Sequence, residues 1–284
     1  MAQSPRMLKA FLSRLGVGTQ VDIPTEMWLG AVSALPFVAR LTVNEQARLR
    51  TLAEQFLAQK EMAGAGELEL TAEIQVHIAV QACLPILNLG LGWYRGWSSI
   101  VVYPSEFLVP RRLHDEAGVV HEYVEPISGE AWEGGPVLLS WDDAARAGTA
   151  AGAAYSVVIH EFTHKLDMLD GAANGCPPFD AKLHTGLDPA KWQTTLADAF
   201  ERLNAELDII EARLPDTIDP ESEAADAYYA HLPLDPYAAQ DPGEFFAVSS
   251  EAFFVDAARL QLAFPDWYTQ LTAFFRQDPL KAAS

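Results

Sequence analysis

Cysteine is scarce in this chain: Cys83 and Cys176 are the only two in 284 residues. Two thiols so placed give no disulfide framework and no cysteine-rich metal pattern, and such usage suits a reducing compartment. Positive charge is short as well, with 19 lysines and arginines against 39 acids and a formal net charge of −20. That balance repels a phosphate backbone, which argues against nucleic acid as a direct partner. No uninterrupted apolar run is long enough to span a bilayer. Internal repeats and low-complexity tracts are missing too. What is there is a chain that is 50% hydrophobic, enough to bury a large core as one large domain or two closely joined ones.

The first fifteen residues set Met7, Leu8, Phe11, Leu12 and Leu15 at helical spacing around Lys9 and Arg14. This is an amphipathic pattern and not the continuous apolar core of a signal peptide, so a cytoplasmic location is expected. Residues 1–24 read as an amphipathic segment and linker, and residues 25–284 as the main domain. Thr42-Val43-Asn44-Glu45 reads as a capping box that opens a helix running to about Lys60, with Gly64 and Gly66 breaking it. A second, apolar helix is expected from Thr71 to about Leu89, with His77 as a packed core residue. Ser98–Tyr103, Val119–Val124 and Val137–Ser140 are β-rich stretches between turn-forming residues, which predicts a small, largely antiparallel sheet. Val137–Ser140 is either a core strand or an exposed edge that an extended peptide could join.

Shortly after that strand comes SVVIHEFTHKLDMLDG, Ser156 to Gly171. His160, Glu161 and His164 spell HExxH within it. Histidines four apart share a helix face about 6 Å apart along the axis, where two imidazoles can hold one zinc ion. Zinc lowers the pKa of its bound water towards about 7, and Glu161 is placed as the general base that takes the proton. Phe162, Leu166 and Leu169 continue a buried stripe, and Gly171 suits the C-cap. A buried helix that turns three polar groups inward needs something to compensate them, and one Zn2+ does so. The other His-Glu pair, His121-Glu122, has Glu125 where a second histidine is required and reads as strand surface.

Catalytic zinc takes three protein ligands and a water, so a third ligand is required. Asp170 follows His164 by six residues, where the extended metzincin pattern has histidine; Asp167 occupies its glycine position, so that pattern fails. Asp167 lies three residues after His164, either as an acceptor orienting an imidazole or as a surface charge. Glu201, Glu206 and Glu211 read as a solvent face, and Glu221 and Glu223 as loop. Glu244 and Glu251, embedded among aromatics in DPGEFFAVSSEAFF, are costly carboxylates to bury without a partner and are favoured over Asp170. Glu244 has a rival use in capping the helix that Asp241 and Pro242 begin.

Together, VVIHEFTHKLDMLDG and LDPYAAQDPGEFFAVSSEAFF resemble the MtfA (Mlc titration factor A) family of zinc-dependent peptidases. CLPILNLGLGWY, VVYPSEFLV, GPVLLSW and FPDWYTQL extend the similarity from about Met27 to Leu280. The resemblance implies an α+β fold, mostly helical and gluzincin-like, with the small sheet beside the HExxH helix. It implies His160, His164 and Glu244 as metal ligands, Glu161 as base and Tyr237 as hydrogen-bond donor to the developing oxyanion. Glu251 then takes a buried supporting or structural place around the metal. Aminopeptidase-like cleavage of a peptide or protein substrate is implied, and so is binding of a transcriptional repressor of sugar uptake.

Overall fold

The computed structural model describes residues 21–114, 120–148, 154–171, 173–215, 217–220, 222 and 224–281. The amphipathic segment, residues 1–20, lies outside them, as do Glu221 and Glu223. Three helices come first, α1 (Thr25–Ala34), α2 (Pro36–Ala39) and α3 (Val43–Gln59). The capping box forms: Thr42 accepts the Glu45 N–H at 3.2 Å, and the Glu45 carboxylate accepts the Thr42 N–H at 2.9 Å. Next come β1 (Glu61–Gly64), a strand not anticipated in the sequence, and α4 (Ala72–Cys83), capped by Thr71. α4 stops short of Leu89 because Pro85 has no N–H to continue the ladder, and residues 84–89 turn instead. His77 packs as expected, its Nε2 3.2 Å from the Ala144 carbonyl oxygen and its ring edge-on to Trp141.

The middle of the chain forms β2 (Ser99–Tyr103), β3 (Phe107–His114), β4 (Val120–Ile127), β5 (Gly129–Ala131) and β6 (Val137–Ser140). Four strands make one sheet in the order β1-β2-β6-β5, while β3 and β4 stand apart as an antiparallel hairpin. His121 and Glu122 belong to that hairpin, opposite Leu113 and Arg112. The β5–β6 pair is antiparallel as well, but β1–β2 and β2–β6 are parallel. A parallel pair needs a crossover, which α4 supplies between β1 and β2. β6 is interior and all four of its residues are buried, so the open-edge alternative for Val137–Ser140 is corrected. Among the described residues the neighbouring edge is β5.

The second half is helical: α5 (Trp141–Ala145), α6 (Val157–Asp167), α7 (Pro189–Glu211), α8 (Asp226–Tyr229), α9 (Pro242–Val255), α10 (Ala257–Ala263) and α11 (Pro265–Phe275). The fold is α+β, with a small sheet of mixed strand direction beside α6. One core runs through it. Phe162 of α6 packs against Phe56, Tyr94 and Trp97 on one side. Behind α9, Phe246 packs on Trp192, Trp267 and Phe274. α9 is apolar nearly all round and is buried from Phe245 to Phe254, so its two glutamates have little solvent to turn to.

Candidate metal centre

Ser156 starts α6, its hydroxyl accepting the Ile159 N–H at 3.2 Å, and Val157, Val158, Ile159, Phe162 and Leu166 anchor it in the core. Its polar face is thereby fixed. His160 and His164 project together, with ring centroids 4.8 Å apart and Nε2 atoms 3.1 Å apart. α6 runs on through a 3-10 turn, Met168–Asp170, and ends at Gly171 with φ 107°, the left-handed C-cap expected there.

Glu244 arrives from α9. Its Oε2 lies 3.1 Å from His160 Nε2 and 3.3 Å from His164 Nε2. The rival capping role falls to Asp241, whose carboxylate accepts the N–H groups of Gly243 at 2.7 Å and Glu244 at 3.0 Å. The Glu244 side chain is thus left for the histidines. One ligand atom from each of His160, His164 and Glu244 lies within 4.8 Å of the other two. Among the described residues no other His, Cys, Asp or Glu group converges in this way. Asp170 is exposed in the turn and stands outside the group, and Glu201 and Glu211 are exposed on α7 as expected.

Glu251 sits one face-repeat further along α9, buried, and braces the first histidine. Its Oε1 is 2.8 Å from His160 Nδ1, and its Oε2 accepts the Ser156 N–H at 2.5 Å. A proton on Nδ1 donated to Glu251 leaves the Nε2 lone pair facing Glu244 and His164, the tautomer a metal requires. The Ser156 hydroxyl donates to Gln81 of α4 at 2.9 Å, and Gln81 donates to the Ala144 carbonyl at 3.0 Å. Sequence reasoning missed this supporting chain. Ser156 had a signal, a serine just before an apolar helical run, whereas Gln81 had none.

Asp167 is fully buried, which removes the reading of a surface charge. Its Oδ2 accepts the Gly175 N–H at 2.6 Å, while its Oδ1 is buried with no hydrogen-bond partner. It therefore ties the end of α6 to the following loop. That loop reaches α9: Gly175, at φ 76°, comes so close that a Cβ there would stand 2.4 Å from the Pro242 carbonyl oxygen. Tyr237 lies in a 3-10 turn, Pro236–Ala239, its ring centroid 6.0 Å from that of His160 and the residue 45% exposed.

Charge follows from this packing. Burial pushes the Glu161 carboxyl up to about 7, against the pull of the two histidines, and its Oε2 is buried without a hydrogen-bond partner. Burial works against protonation of His160, but the Glu244 and Glu251 carboxylates outweigh it and raise its pKa well above the ordinary value. Burial also opposes the charge of Glu244, and the two imidazoles overcome it and hold the carboxyl below its usual range. Three carboxylates around two imidazoles make a site that favours positive charge.

A model of the family described as glucose-regulated metallo-peptidase M90 matches residues 13–276. The chain belongs to this metallopeptidase family. It is 36% identical over 256 residues to Mlc titration factor A of Pectobacterium atrosepticum, covering 90% of this chain and 87% of that one. The protein of the same name in Salmonella arizonae is 36% identical over 254 residues, covering 89% and 91%. Membership in M90 implies a metal ion, and the residues present fit one. Two imidazole nitrogens and a carboxylate oxygen converge, the surrounding charge is negative, and the buried Glu161 Oε2 lacks a partner. No helix among the described residues is long and apolar enough to cross a membrane.

Proposed function

We propose that this M90 chain is a zinc-dependent peptidase in which His160, His164 and Glu244 hold one Zn2+ and Glu161 is the general base. The observation that carries the reading is the convergence of two Nε2 atoms and one carboxylate oxygen beside a buried glutamate. A zinc ion held there would polarise a scissile carbonyl and make water easier to deprotonate. Glu161, with its carboxyl near 7, is suited to accept a proton from that water and return it to the leaving amine. Glu251 keeps the His160 ring oriented. Tyr237, partly exposed and with its ring beside that of His160, is suited to donate a hydrogen bond to the substrate oxygen as charge develops. An extended peptide or protein segment can lie along β5, the end strand of the sheet.

Aminopeptidase-like cleavage and a cytoplasmic setting complete the reading. The first is supported by the family likeness and the second by two free cysteines. Relatives bear the name Mlc titration factor A, which favours a second reading. In it this chain binds and titrates a transcriptional repressor of sugar uptake, with peptide hydrolysis secondary. A peptide-library digest by zinc-loaded protein, with cut sites mapped by mass spectrometry, separates the two. The peptidase reading expects cuts that chelator abolishes, clustered at free N-termini and lost when N-termini are blocked. A folded, zinc-loaded protein that cuts nothing sinks it and leaves the binding role.

A further inference from the structure

Gly129 is a glycine by necessity of space. Its backbone is not in the left-handed region, so no conformational demand excludes a side chain. A Cβ placed on it would meet Glu161 Oε1 at 2.5 Å, Glu161 Cγ at 2.7 Å and Val157 Cγ2 at 2.7 Å. Real Cβ atoms do not approach so closely, so a methyl group here forces something to move.

Which part yields follows from how the others are held. β5 pairs with β6 through Gly129 opposite Leu139, and just before it the Ser140 N–H donates to the Ser128 carbonyl at 2.7 Å. At the far end the Lys165 ammonium of α6 donates to the Trp132 carbonyl at 2.5 Å and the Gly135 carbonyl at 2.9 Å. The strand is therefore clamped onto the sheet at one end and onto α6 at the other. Val157 is buried at the start of α6, and its branched side chain has one favoured helical rotamer. Glu161 is unbranched, and no hydrogen bond holds its Oε2. It is the group free to turn.

We propose that Gly129 is a positioning residue for the Glu161 carboxylate: the bare backbone of β5 is the wall that sets the rotamer of the base. The inference rests on the reading of Glu161 as the general base. It implies that any side chain at position 129 drives the carboxylate off its line to the reacting water. The three atoms nearest to such a Cβ belong to Glu161 and Val157, and none of them to His160, His164 or Glu244.

The test is G129A, measured beside wild type and E161Q for zinc content, kcat, KM and thermal stability. Wild-type activity that E161Q loses establishes the base, independently of Gly129. Given that, G129A is expected to keep its zinc and its KM while kcat falls about 10- to 100-fold, the scale of a 1 Å misplacement. Stability gives a second readout: G129A should lower Tm in wild type and lower it less in E161A, where the two clashing Glu161 atoms are gone and only the contact with Val157 Cγ2 remains. If G129A does not fold, G129A in a V157A background replaces it, read against V157A alone. Recovery of the fold in G129A/E161A counts for the proposal, and no recovery counts against it. A folded, zinc-loaded G129A or G129A/V157A with kcat within about twofold of its parent overturns it.

Discussion

Glu161 and Glu244 are both carboxylates beside the same two histidines, and their environments part their roles. Burial lifts Glu161 to about 7, while the imidazoles hold Glu244 low, which suits the proposed roles of base and ligand. E161Q is expected to bind zinc as wild type does and to lose most turnover, since an amide accepts no proton from water. Zinc titration and peptide assays on the same sample check it; retained turnover removes Glu161 as base. E244A should lose most zinc affinity and D170A none. E251A should fall between them, at roughly 10- to 100-fold weaker binding, because it loosens a ligand without removing one. Asp167 makes a stability prediction. Burial raises its pKa from 3.8 to about 7, with the Gly175 N–H pulling the other way. A carboxyl raised in the fold binds more protons folded than unfolded between those values. Its contribution is therefore greatest below about pH 4 and is lost as pH rises to about 7. D167N keeps an acceptor for Gly175 and does not titrate, so its stability should fall less than wild type between pH 5 and 8. Denaturant melts at the two pH values check this, and parallel curves would remove Asp167 as the cause.

At the scale of elements, the centre is the meeting of α6 with α9, and each helix start is fixed by a short polar side chain. Asp241 holds two N–H groups at the first turn of α9, the turn that carries Glu244. D241A should cost about 1–2 kcal/mol in stability and should weaken zinc binding less than E244A does. Melting curves with zinc titration separate the two effects, and an unchanged melt would show the cap to be idle. Much of this was legible in the chain. Thr42 and Glu45 announced their box, Ser156 and Gly171 bracket α6, and the apolar periods of both helices are local patterns. β1 was not legible, because four residues that include a glycine carry no period to read. The parallel pairing of β1, β2 and β6 was hidden too, since alternation along a strand says nothing about the direction of its neighbour.

For the whole molecule, His164 and Glu244 stand 80 residues apart, and a metal between them would cross-link two halves of the core. Removing it should lower the melting temperature without unfolding the chain, because the apolar packing around Phe162 and Phe246 does not depend on it. Zinc at about a hundred times its Kd would add roughly 2.7 kcal/mol. A chelator is expected to lower Tm by roughly 5 °C or more while far-UV circular dichroism at 25 °C stays the same. Loss of that signal would mean that the metal organises the fold itself. By itself the sequence determined the HExxH helix, its inward polar face, the acid-rich chemistry around it and the class of protein. The first three follow from rules acting between residues four or fewer apart or from composition, and the class of protein from the resemblance carried by the stretches around His160 and Glu244. Only the tertiary structure decided which carboxylate meets the histidines, that Glu251 braces His160, that Asp167 is buried, and that β5 presses its glycine on Glu161. Each depends on how distant apolar faces pack, and packing joins residues by shape and volume, which the order of a chain does not display.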